Sequence, residues 1–177
     1  MYTDLKSSPG FLGKGLQTPQ SADEARKFFD NGVICLLGDR VAEAYDYFSR
    51  IEKADAAVWF NMALCCRWAG LFKNALSCVE KAEQDIAQMQ YRAVSGSVQE
   101  QLDAYEAQGA GYLQPMPTDH VRLMPQAAQR QILRCRADIC FELGLHAEVR
   151  AIAARLKRPC RNVEELLNRI NQIDNGY

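Results

Sequence analysis

Seven cysteines and two histidines are the side chains of this 177-residue chain best suited to nucleophilic, redox or metal chemistry. Three of the cysteines fall in one stretch, "ALCCRWAGLFKNALSCVEKA", residues 63 to 82, and two of them are adjacent. A metal site asks for C-x-x-C spacing or nearby histidines, and the stretch offers neither. Cys65 and Cys66 stand about 100° apart around a helix, so the pair cannot address one target. Packing is the reading that remains, because a buried cysteine behaves as a small hydrophobe; redox or metal chemistry is the alternative. His146 sits at a turn and is expected to pack, while His120 lies in a proline-broken loop and is expected to be exposed. No Ser-His-Asp set can be assembled. "GFLGKG" places glycines beside Lys14 but lacks the G-x-x-x-x-G-K-[ST] frame of a phosphate cradle. Glu142, Glu164 and Glu165 read as solvated helix faces. No catalytic residue, metal ligand or cofactor is expected.

Composition bounds the partners. A hydrophobic content of 48% with 24% charged residues is that of an ordinary globular chain. The net charge of −1 gives no reason to expect nucleic acid or an anionic membrane. The stretch "MYTDLKSSPGFLGKGLQTPQ" lacks a basic start followed by an apolar run, so it does not read as a secretory signal. No apolar run approaches the roughly 18 residues of a membrane span. Unpatterned cysteines then point to a reducing compartment, and cytoplasm is the expected location.

The elements that would position these residues are helices. Ser21 and Glu24 form a capping box ahead of "ARKFF". From there to about residue 108 proline is absent and good helix formers dominate. The helices come in pairs that share a register. Gly32 and Cys35, Ala63 and Cys66, and Ala137 and Cys140 each stand three residues apart. Four residues after each cysteine comes a turn residue: Asp39, Gly70, Gly144. Val41, Phe72 and His146 follow, then the slim Ala44, Ala75 and Val149. Phe48, Val79 and Ala153, then Ile51, Ala82 and Leu156, close the units. This is the pattern of a helix, a tight turn and an antiparallel helix, with small residues where the two cross.

The pattern resembles the tetratricopeptide repeat (TPR). Trp59, Met62, Ala63, Gly70, Phe72, Ala75 and Ala82 stand where that family has Trp, Leu, a small residue, Gly, an aromatic, Ala and Ala. Phe28 and Leu133 replace the tryptophan in the outer units, and no unit ends in the family's proline. The resemblance covers residues 25 to about 85 and 130 to about 158. It implies an all-α, TPR-like α-solenoid of about three antiparallel helix pairs. The expected layout is a loose arm over 1–20 and a single domain over 21–177. Within that domain the first repeat spans 25–55 and the second 56–88. An insertion or degenerate repeat over 89–129 precedes a third repeat over 130–158. Ser97 and Glu100 would cap a short helix in the insertion. Asn162 and Glu165 would open a capping helix, 162–174, with Val163, Leu166, Leu167, Ile170 and Ile173 as its apolar stripe.

Stacked helix pairs curve, and the first helix of each pair lines the concave side. The groove-facing residues are then Phe29, Val33 and Leu36; Phe60, Asn61, Leu64 and Arg67; and Arg134, Asp138 and Phe141. The family's clamp for a peptide carboxylate uses several basic residues and paired asparagines, and only Asn61, Arg67 and Arg134 answer to it here. The rest of the lining is mainly apolar, which suits an amphipathic helix or an extended hydrophobic segment of a protein partner. The same residues would equally serve if the chain's own arm or insertion covered them. Three functional classes follow. The first is a non-enzymatic adaptor or chaperone-like scaffold, similar in length to small repeat chaperones of bacterial secretion systems. The second is a homo-oligomeric structural module with its groove self-covered, and the third an enzyme using the insertion as a lid.

Overall fold

The computed structural model describes residues 19–89, 97–156 and 158–176. The amino-terminal arm up to residue 18, residues 90–96 of the expected insertion, and the Ser97 and Glu100 side chains lie outside the described residues. Among those described the chain is all-helical, without strands. Three helical hairpins form from α1 (Ala22–Leu37) and α2 (Val41–Ser49), α3 (Ala56–Trp68) and α4 (Phe72–Gln88), and α7 (Pro125–Glu142) and α8 (His146–Arg155). Between the second and third lie α5 (Ser97–Gln108), a 3-10 turn over Gly111–Leu113, and α6 (Thr118–Leu123); α9 (Arg161–Asp174) ends the array.

The hairpins share one turn. The carbonyls of Cys35, Cys66 and Cys140 accept from the N–H groups of Arg40, Leu71 and Leu145, five residues on, at 2.9, 2.8 and 2.8 Å. The residue before each donor is left-handed: Asp39 at φ 57°, Gly70 at 73°, Gly144 at 71°. Their N–H groups reach the carbonyls of Leu36, Arg67 and Phe141. Each turn is thus a Schellman motif, satisfying two helix-end carbonyls in the same register. The three cysteines named by the sequence pattern are the residues on which the three turns close, and all three are buried.

Packing varies inside that common frame. Gly32, Ala63 and Ala137 are buried at matching positions, and Ala44, Ala75 and Val149 are fully buried opposite. A Cβ at Gly32 would lie 2.7 Å from Phe48 Cε1, so the large ring of the first hairpin exists only because its neighbour has no side chain. In the second hairpin the corresponding volume is shared between Ala63 and Val79.

Caps explain where the helices begin. Ser21 Oγ accepts from Glu24 N–H at 3.1 Å, as the capping box requires. Asp55 Oδ1 accepts from Val58 N–H, and Asp85 of α4 accepts from Ala56 N–H, so two carboxylates face the amino end of α3. Pro125 opens α7 at its first position, ahead of the boundary expected near 130, because a proline there sacrifices no hydrogen bond. The capping helix departs from expectation at its start. It begins at Arg161 with Cys160 at the N-cap, and Asn162 reaches across to α7 instead of capping. Val163, Leu166 and Ile170 of its stripe are buried and Leu167 is half-buried, but Ile173 is mostly exposed.

The hairpins join by repeated steps: α2 packs on α3, and α4 packs on α7. At the second step Arg136 of α7 meets Glu83 at 2.7 Å, Glu80 at 3.4 Å and Glu148 of α8 at 3.3 Å. One apolar cluster unites the first two hairpins with Met116, Val121, Ile132, Cys135 and Ile139. A second holds Cys140, Val149, Ile152, Cys160, Val163 and Ile170 around α7, α8 and α9. Helix α7 feeds both, and α6 lies against α3 and α7. No helix among the described residues is long and apolar enough to cross a membrane.

Candidate functional site: the insertion between α3 and α7

The first helices of the second and third hairpins, α3 and α7, are bridged by residues 111 to 124. Asn61 is fully buried on α3. Its Nδ2 donates to the Met116 carbonyl at 3.0 Å and its Oδ1 accepts from Met116 N–H at 2.8 Å. One amide side chain thus satisfies both backbone groups of a single residue, which an extended segment can present and a helix interior cannot. The flanking backbone is extended, with Gln114 at φ −81°, ψ 151° and Pro117 at φ −68°, ψ 149°. These are polyproline II values, favoured by the prolines at 115 and 117. Met116 is fully buried, and Gln131 of α7 donates to the Gln114 carbonyl at 2.9 Å.

A polar network closes the α7 side. Asp138 accepts from Tyr112 Oη at 2.7 Å, from Arg67 at 3.2 Å and from Asn162 at 3.0 Å. Burial, with the Asp138 carboxylate beside it, pushes the Tyr112 phenol up, so Tyr112 stays a donor. Arg134 donates to the carbonyls of Glu106 at 2.6 Å and Gly109 at 2.8 Å, and to Asn162 Oδ1 at 2.7 Å. Its guanidinium stacks 4.1 Å from the Tyr112 ring centre. A cation thus sits on the last carbonyls of α5, where the helix dipole favours it.

The residues expected to line a groove, whether open to a ligand or covered by the chain itself, fall in two sets. Phe29, Leu36, Phe60, Asn61, Leu64, Arg134 and Asp138 are buried, and Val33, Arg67 and Phe141 are half-buried. Asn61, Arg67, Arg134 and Asp138 do converge, but on the chain's own insertion. Phe141 lies elsewhere, stacked on His146 and under Arg169 at 4.2 Å. Phe29 meets Phe48 edge-on inside the first hairpin. His120, expected to be exposed, is half-buried, and burial holds its imidazole below the usual value. Sequence reasoning missed Met116 and Tyr112, and gave Asn162 only the opening of the last helix. A methionine between two prolines is the one local signal that was present, since it forces an extended apolar residue.

All seven cysteines are buried and unpaired as disulfides. Burial pushes the thiols of Cys65 and Cys135 up to about 12. Cys66 and Cys78 share a hydrogen bond across α3 and α4 that raises the first and lowers the second. Among the described residues no three metal-ligating side chains gather. No protein-family model, curated protein or solved structure matches the chain.

Proposed function

We propose that this chain is a non-enzymatic, TPR-like α-solenoid that serves as an adaptor or chaperone-like scaffold, binding an extended protein segment between α3 and α7. Its own residues 114–117 hold that place until a partner displaces them. The observation that supports this reading is the two-way grip of Asn61 on Met116, because it recognises backbone and tolerates exchange of one segment for another. A displaceable occupant also sets the affinity: the partner's apparent Kd rises as the inverse of the fraction of molecules whose groove is open.

The test uses a synthetic peptide of residues 111–124 offered in trans, read by fluorescence anisotropy. Met116→Ala empties the apolar slot and is expected to bind the peptide at least about tenfold more tightly than the wild-type chain. Asn61→Leu added to that variant abolishes the gain. Absence of saturable binding to Met116→Ala overturns the reading.

The burial of the lining residues supports a second reading, a homo-oligomeric structural module whose groove is permanently self-covered. Light scattering across a hundredfold concentration range separates the two: a constant monomer mass excludes the module, and a concentration-dependent dimer without peptide exchange favours it.

A further inference from the structure

The grip on residues 112–117 specifies what a displacing segment must carry, an inference that rests on the displaceable-segment reading above. Asn61 commits its carbonyl and an amide N–H to the two backbone groups of Met116. The residue at that point must own an N–H, which bars proline from it. Its neighbours are the opposite case. Pro115 and Pro117 bring no N–H between the helices, so neither adds a donor that α3 or α7 must satisfy. Each proline also confines the residue before it to extended backbone, here Gln114 and Met116. A free segment with this bracket is already close to its bound shape and loses little freedom on docking.

The side chains complete the pattern. Met116 is fully buried and joins the cluster of the first two hairpins with Ile132, Cys135 and Ile139, so a charged side chain there would be stranded away from water. Leu113 packs half-buried against the same cluster, whereas the exposed Gln114 is held through its carbonyl, which any residue supplies. Tyr112 meets two groups at once: its Oη donates to Asp138 at 2.7 Å, and the Arg134 guanidinium stacks 4.1 Å from its ring centre. A basic side chain in its place would face Arg134, and an acidic one would face Asp138. A phenol is neutral, donates and offers a ring face, which satisfies both neighbours.

We propose that the partner segment carries the pattern Tyr-Φ-x-Pro-Φ-Pro, where Φ is apolar, and binds extended between α3 and α7 in the direction in which residues 112–117 run. The partner and the chain's own segment then compete for one set of contacts, with Asn61 reading the second Φ through its backbone and Asp138 reading the phenol.

The experiment titrates the full Met116→Ala chain with fluorescein-labelled peptides of residues 111–124, read by anisotropy. The native peptide is expected to saturate the host. A peptide with Pro115→Ala and Pro117→Ala together should bind about tenfold more weakly, because its free state has more conformations to lose. Tyr112→Phe in the peptide should cost at least about tenfold, the size of a hydrogen bond to a carboxylate. Met116→Asp in the peptide should abolish saturation. Asp138→Asn in the host should bring the tyrosine and phenylalanine peptides within about threefold of each other, since the charged acceptor is gone. The peptide series decides the motif whether or not that host variant folds. A native peptide that fails to saturate the host removes the displaceable-segment reading, and the motif with it. A native peptide that saturates, matched in affinity by the double-alanine, phenylalanine or aspartate peptide, overturns the motif alone.

Discussion

The three hairpins and the insertion between them are held by different kinds of bond. In the hairpins, backbone closes on backbone: the carbonyls of Cys35, Cys66 and Cys140 find the N–H five residues on, and apolar slots repeat in register. In the insertion, side chains of other elements hold backbone: Asn61 holds Met116, Gln131 holds Gln114, and Arg134 holds Glu106 and Gly109. Local closure makes an element that forms wherever its sequence occurs. Distant side-chain grips make one that opens locally without the hairpins unfolding, as the proposed displaceable occupant requires.

The difference predicts graded effects. Phe48→Ala removes a fully buried ring from the first hairpin and is expected to cost about 4 kcal/mol of global stability, read as a lower urea midpoint. Gly32→Ala on a Phe48→Ala background should cost far less than Gly32→Ala alone, because the clash is with that ring. Asn61→Ala orphans two backbone groups of Met116 and is expected to cost about 2 kcal/mol. That loss should appear in the insertion's local opening, with the hairpins' unfolding almost unchanged.

The turns give smaller, opposite effects. Gly70→Ala places a Cβ at φ 73° and should destabilise by about 1 kcal/mol. Asp39→Gly relieves the one left-handed non-glycine among the described residues and should be neutral or slightly stabilising by thermal melting. At the bottom of the scale, Asp46→Ala breaks the pair with Arg50. Both side chains are more than half exposed, so the change is about 0.3 kcal/mol.

The same contrast explains what was legible in the sequence. Helical period, small crossing residues and turn residues at fixed offsets are local signals, and they placed all three hairpin turns. The cap at Ser21 was legible for the same reason. Asn162 was misassigned as a cap because an asparagine before an apolar run looks alike whether it bonds its own helix or reaches Asp138 across the array. Asn61, Arg67, Arg134 and Asp138 were named together as lining, since helical phase fixes direction, and in the structure they meet around the insertion. Their partners were not legible: a carbonyl such as that of Met116 or Gly109 carries no sequence signature, and every residue has one.

The displaceable insertion depends on Met116 being seated on Asn61 in the free protein. Amide hydrogen exchange at Met116, measured residue by residue on the full chain, tests it most directly. Strong protection is expected at Met116, whose chain neighbours Pro115 and Pro117 have no amide hydrogen, with Asn61→Ala raising exchange at Met116 about thirtyfold, the equivalent of the two lost bonds. Exchange at Met116 at the rate of an unstructured peptide in the wild-type chain would contradict it.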